Sequence, residues 1–164
     1  MSTNLTHADY ESLADFRYQI RRFLAFSEQA ARRVCLEPRQ HQLMLAIKGL
    51  PAGVKPRIGE LAERLQIEHH SAVELVNRLA AGGYVVRRPG REDRREVLLA
   101  LTPKGERVLR DLSMHHKNEL RTQGPALLAA LKRLVPAGKH SATVAAKGAQ
   151  DNKTRATRLE HGAK

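Results

Sequence analysis

Between Arg87 and Arg95 the sequence sets five arginines, Arg87, Arg88, Arg91, Arg94 and Arg95, around Glu92 and Asp93, with Pro89 and Gly90 marking a turn. A guanidinium is a planar fork of donors that fits phosphate oxygens and base edges. On a narrow loop it can enter a minor groove, where the negative potential is strongest. Phosphate would repel the two carboxylates, so Asp93 is expected to support the loop by orienting an arginine, either Arg95 or Arg78. Just upstream, at 100° per residue, His70, Ser71, Glu74, Asn77 and Arg78 fall on one side of a helix, opposite Ala72, Val73, Val76 and Leu79. All five can hydrogen-bond. Asn77 suits adenine, Arg78 guanine or a phosphate, and Glu74 the amino group of cytosine, a good pairing being worth about 1–3 kcal/mol of discrimination. His69 falls nearer the buried side and is read as a helix-start residue.

Other reactive side chains are sparse. Cys35, the only cysteine, follows Arg32 and Arg33 closely, and their charge would favour a thiolate. Redox sensing is one reading of Cys35, a structural or indifferent thiol the other. A single cysteine excludes an internal disulfide and fits a reducing compartment. His115, His116 and Glu119, with His41, are potential metal ligands. Adjacent helical histidines diverge by about 100°, so only the His115 to Glu119 spacing suits zinc, and neither a metal nor a cofactor is expected. No Ser/His/Asp arrangement, glycine-rich phosphate loop or cluster of acids is present, so the chain does not read as an enzyme.

The elements that must position these residues follow from periodicity. Leu13, Phe16, Ile20, Phe23, Leu24 and Val34 make an amphipathic helix over Tyr10 to Val34, interrupted at Leu36-Glu37-Pro38. A second helix runs from about Arg39 to Lys48, with Leu43, Met44 and Ile47 on one side, and GLPAGVKP is a loop. Ile58, Leu61, Ala62 and Leu65 form one short stripe and Ala72, Val73, Val76, Leu79 and Ala80 another, divided by Gln66-Ile67-Glu68: helix, tight turn, helix. After Gly82-Gly83, the β-prone runs Tyr84 to Val86 and Val97 to Leu99 flank the charged loop as a hairpin. Thr102-Pro103 starts a new helix with Val108, Leu109, Leu112 and Leu120 inward. Gly124-Pro125 is expected to break it, leaving a last segment with Leu127, Leu128, Leu131 and Leu134.

The 164 residues allow one domain and an appendage, and 29 Lys/Arg against 17 Asp/Glu give a net charge of +12, which points to a polyanionic partner. Residues 137–164 hold six basic and two acidic residues and few large apolar ones, so this stretch is expected to be a disordered basic tail; it carries +4 and leaves +8 on residues 1–136. No apolar run is long enough to cross a bilayer and the first ten residues lack a secretory pattern, so a cytoplasmic protein without membrane contact is expected.

Asp93-Arg94-Arg95, then Leu101-Thr102 and Gly105, after GELAERL and VNRLAAGGYVVRR, resemble the winged-helix signature of the MarR (multiple-antibiotic-resistance regulator) family over roughly Leu36 to Leu112. The resemblance implies a mainly α fold with a small β-hairpin wing (α+β). A winged helix-turn-helix at 35–101 would be flanked by a dimerisation helix at 1–34 and C-terminal dimerisation helices at 102–136. It further implies a homodimeric regulator, by family habit a repressor, that binds a near-palindromic operator in double-stranded DNA and is released by a small organic effector. The recognition helix would be His69 to Ala81 and the wing arginine Arg95 or Arg94, with Arg91 beside them. Glu74 departs from the pattern, which bears on base preference. Independently, the apolar stripes of both flanking segments exceed what one small winged domain can cover, which favours a two-fold dimer. The rival reading is a sequence-tolerant basic DNA- or RNA-binding module.

Overall fold

A computed structural model describes residues 4–135 of the protein. Its order is α1 (His7–Arg33), α2 (Pro38–Lys48), α3 (Ile58–Leu65), α4 (His69–Ala81), β1 (Val85–Pro89), β2 (Val97–Leu101) and α5 (Pro103–Leu134). The strands pair antiparallel from Val85 opposite Leu101 to Pro89 opposite Val97, so the molecule is mainly helical with one hairpin, a winged helix-turn-helix. The basic stretch 137–164 lies outside the described residues. No helix among those described is long and apolar enough to cross a membrane.

Local chemistry sets most boundaries. Thr6 and Asp9 form a reciprocal capping box, which starts α1 three residues earlier than its apolar stripe indicates. Three helices then end in the same way, with a left-handed residue followed by an apolar one. At the end of α1, Cys35 (φ 58°) donates its amide to Arg32 and Leu36 donates to Ala31. Gln66 (φ 53°) and Ile67 repeat this after α3, and Gly83 (φ 73°) and Tyr84 after α4. Each termination satisfies orphan carbonyls and swings an apolar side chain, Leu36, Ile67 or Tyr84, against the core. That core joins Leu43 and Met44 of α2, Leu61 of α3, Leu75, Val76 and Leu79 of α4, Val85 and Leu99 of the hairpin, and Leu109 and Leu112 of α5.

Two expectations about the C-terminal helix are corrected. Gly124-Pro125 does not divide it: α5 runs unbroken through Pro125. Proline normally forces its predecessor out of the helical region by colliding with its Cβ, and Gly124 has none. The remaining cost is one missing amide and the crowding of the Arg121 carbonyl by the proline ring, which lateral packing on α1 offsets; the two helices run antiparallel, with Asp15 paired to Arg133 at one end and Phe23 beside His116 further along. Leu120, expected inward, is exposed.

The start of α5 is fixed by contact with the hairpin. Thr102 accepts the Gly105 amide in the capping geometry its sequence suggests, while its hydroxyl donates to the Gly83 carbonyl at 2.7 Å. Gly105 is buried, and a methyl group there would overlap the Tyr84 carbonyl oxygen. Gly105→Ala is therefore expected to destabilise the fold by about 2 kcal/mol through backbone displacement, read as a lower urea midpoint at unchanged slope.

His41 of α2 and His116 of α5 stack face to face, 4.8 Å between ring centroids, with Phe23 and Phe26 of α1 edge-on to His116. Both rings are buried, and neither Nε2 has a hydrogen-bond partner among the described residues. Burial, then the neighbouring His116, pushes the His41 imidazole down to about 4. Burial also lowers His116, against a hydrogen bond to the Ser27 backbone and with His115 adding to the depression. The folded state therefore resists protons that the unfolded chain accepts. Stability is complete above the ordinary histidine range near 6.5 and falls as pH drops through it toward 4. Acidification from pH 7 to 5 is expected to remove about 2 kcal/mol, seen as a fall in Tm, and His41→Leu should flatten that dependence.

Candidate nucleic-acid interface

The tight turn between α3 and α4 is held by the left-handed Gln66, whose side-chain amide also donates to the Glu63 carbonyl at 2.7 Å. Burial of Ala72, Leu75, Val76 and Leu79 then orients α4. Leu75, absent from the stripe read in the sequence, is part of this buried face, whereas Val73 and Ala80 are half-buried. His70, Glu74, Asn77 and Arg78 are exposed together and Ser71 is half-buried. His69, expected nearer the buried side, is also exposed and faces a cleft shared with Lys55, Arg57, Asp93 and Arg95.

Two of the polar residues on α4 are already engaged. Asn77 Oδ1 accepts a hydrogen bond from Arg87 Nη2 at 2.6 Å, which joins α4 to the first strand of the hairpin. Arg78 Nη1 lies 3.2 Å from Glu37 Oε2, at the start of α2, and Arg78 Nη2 is 3.9 Å from Glu74. Glu74 and Glu37 thus flank the Arg78 guanidinium, giving the acidic position on this face a cationic neighbour.

In the hairpin loop, the Gly90 amide donates to the Glu96 carbonyl and the Glu96 amide to the Asp93 carbonyl. The Asp93 carboxylate accepts the Arg95 backbone amide at 2.9 Å. The expected brace on an arginine side chain is therefore corrected: Arg78 is held by Glu37, and Asp93 shapes the turn through the backbone. A second anchor was not legible in the sequence. Glu96, with a side chain only 8% exposed, pairs with Lys55 at 3.0 Å and with Arg57, while Glu92 takes the other side of Lys55 at 3.0 Å. The Leu99 amide also donates to the Pro56 carbonyl, so the 55–57 loop lies along the free edge of β2. Lys55 first, then Arg57, hold the Glu96 carboxyl below the usual carboxylate range. The partners are about forty positions apart, beyond any local sequence signal.

Arg91, Arg94 and Arg95 are exposed at the tip and take part in no ion pair among the described residues. Glu92 is committed to Lys55, and Asp93 takes the Arg95 backbone amide and not a guanidinium. Tip and helix face, bridged by Arg87 and Asn77, form one continuous polar surface with cationic groups at its projecting end.

The remaining candidates do not converge on this surface. Cys35 is exposed and serves the backbone turn after α1, and neighbouring Arg32 is paired to Glu28 at 3.1 Å. No group of three or more His, Cys, Asp or Glu able to hold a metal occurs among the described residues; His116 is stacked on His41, and Glu119 accepts from Gln123. His115 instead lines a cavity of about 340 Å³ between α1 and α5, with Phe26, Ala30, Arg33, Val108 and Asp111.

A model of the MarR family matches residues 36–96, the segment that carries this surface. Comparison with curated proteins finds no significant match. Among solved structures, the chain is similar to AbsC, a MarR family transcriptional regulator from Streptomyces coelicolor, with a TM-score of 0.65 and 18% identity over 82% of this chain and 94% of AbsC. It is similar to apo MarR from Escherichia coli, with a TM-score of 0.54 and 19% identity over 73% and 93% of the two chains. It also resembles a mutant of MepR from Staphylococcus aureus bound to an oligodeoxyribonucleotide, with a TM-score of 0.55 and 15% identity over 95% and 96%. At these identities the solved structures share the fold alone, while the match to the MarR family model falls on the helix-turn-helix and the wing: the chain has the fold of MarR family transcriptional regulators and resembles that family over residues 36–96.

Proposed function

We propose that the protein is a non-enzymatic, cytoplasmic transcriptional regulator that binds a near-palindromic operator as a homodimer and represses transcription until a small organic effector releases it. The observation that carries this reading is the continuity of the α4 face with the wing. Asn77 and Arg87 tie the two together at 2.6 Å, and Arg91, Arg94 and Arg95 project beyond them without acidic partners among the described residues. A helix of α4's diameter fits a major groove, and an arginine tip beside it can reach the adjacent minor groove. The MepR relative, bound to an oligodeoxyribonucleotide, supports the same ligand class for this fold.

The dimer reading rests on apolar surface that the chain does not cover. Tyr10, Leu13 and Leu24 of α1 and Leu120, Leu128 and Leu131 of α5 are each at least 40% exposed. A two-fold axis through these helices would cover them and set two α4 helices about 34 Å apart, one turn of DNA. For the effector, the α1–α5 cavity is the site we favour: it is mainly apolar, with Arg33, Asp111 and His115 as the polar groups of its lining, and suits a small aromatic molecule with a polar substituent.

Footprinting on the DNA upstream of its own gene is expected to show a protected near-palindrome. Arg95→Ala should lower affinity about tenfold, Asn77→Ala should relax discrimination at one base pair per half-site, and Glu96→Ala should weaken binding by releasing the wing. Protection without sequence preference that falls steeply with salt would instead support a sequence-tolerant basic module. Leu128→Glu, at a position 51% exposed in the single chain, should leave each protomer folded but shift its light-scattering mass from dimer to monomer.

A further inference from the structure

Asn77 and Arg87 sit ten positions apart, one on a helix and one on a strand, yet their side chains meet at 2.6 Å. Arginine carries only donors, so the amide atom that faces it must be the oxygen. The terminal torsion of asparagine is broad and either end of its amide could otherwise face outward. A short charge-assisted hydrogen bond removes that freedom. Asn77 is exposed, and its Nδ2 has no intramolecular acceptor among the described residues, so both N–H donors are free for a ligand while one of the two lone pairs of Oδ1 is taken.

We propose that Arg87 is a positioning residue that fixes the Asn77 amide and biases it toward reading as a donor, favouring guanine over adenine at the base pair it contacts. This inference rests on the DNA-binding reading above. Adenine pairs with an asparagine amide through both ends, its N6 amino group donating to Oδ1 while N7 accepts from Nδ2. Guanine presents two acceptors, N7 and O6, and asks for donors alone. With one lone pair of Oδ1 held by a guanidinium, the adenine arrangement must use the remaining one beside a cation, at an orientation Arg87 fixes, and the guanine arrangement loses nothing. Arg87 acts through Asn77 and needs no base contact of its own. Arg88, its neighbour on the same strand, is exposed and makes no ion pair among the described residues, which leaves it available for phosphate.

The test is selection from a pool of randomised DNA duplexes by the full-length protein and its Asn77→Ala, Arg87→Met, Arg87→Lys and doubly substituted variants. Matching thermal melts would confirm that the exposed substitutions leave the fold intact. Asn77→Ala should erase the preference for guanine at one position of each half-site. Arg87→Met should shift that position toward adenine by about tenfold, and Arg87→Lys, which keeps a donor, should retain guanine. In the Asn77→Ala background, Arg87→Met should change no base preference. The proposal is overturned if Arg87→Met weakens binding to all sequences alike while the preferred base stays the same, since that describes a phosphate contact. It is equally overturned if Asn77→Ala leaves every preference intact. Failure of the wild type to enrich any sequence would overturn the operator-binding reading, and this inference with it.

Discussion

The carbonyl of Tyr84 is where the helix-turn-helix and the long C-terminal helix are joined. It accepts the Thr102 amide at 3.0 Å, lies against the bare Cα of Gly105, and belongs to the residue that terminates α4 by donating to Leu79. Lys104 adds a further tie, with its ammonium 4.3 Å from the Tyr84 ring centroid and 2.7 Å from the Gly82 carbonyl. These contacts leave little freedom between the end of α4 and the start of α5. A rotation of one must carry the other, because a close backbone packing deforms less readily than a side-chain contact. Any influence of the α1–α5 cavity on the α4 face has this hydrogen-bonded junction as its most direct route.

The electrostatics of the wing follow a division between held and free cations. Lys55, Arg57, Arg78 and Arg87 each have an acceptor within the chain, whereas Arg91, Arg94 and Arg95 at the tip do not among the described residues. Exposed ion pairs contribute little to stability, so the network around Glu96 matters mainly for geometry. It seats the base of the hairpin against the 55–57 loop while the tip projects. With Glu92 drawn to Lys55, three tip arginines face a single remaining carboxylate, Asp93, which leaves the tip net positive toward a polyanion.

Polar burial has a different consequence in the α1–α2–α5 layer. The His41–His116 stack fills its site as two aromatic rings do, but each ring carries a nitrogen that water would have solvated. The cost of that desolvation is tolerated while both rings are neutral and rises once either gains a proton. Because the stack joins α2 to α5 beneath Phe23 and Phe26 of α1, acid strain enters the fold where the helix-turn-helix meets the long helices.

Much of this architecture is local and so legible in the sequence. Apolar spacing marks α1 to α4, Gly82-Gly83 marks the end of α4, and Thr102-Pro103 marks the start of α5, because caps, turns and amphipathic faces depend on residues within one or two turns. The exposed positions His70, Glu74, Asn77 and Arg78 follow from the same arithmetic. What periodicity could not supply is who touches whom. Pro125 stays helical because Gly124 lacks a Cβ and α1 lies alongside. Asp93 braces a backbone amide in its own turn, and Arg78 is held by Glu37, forty-one positions away. Glu96 finds Lys55 and Arg57 across about forty residues. The sequence by itself determined the elements, their polar faces and the positive charge of the wing, while the tertiary structure decided which arginines remain free and how Asn77 is turned. Those outcomes depend on distances between segments remote in the chain, and these exist only once the core has closed.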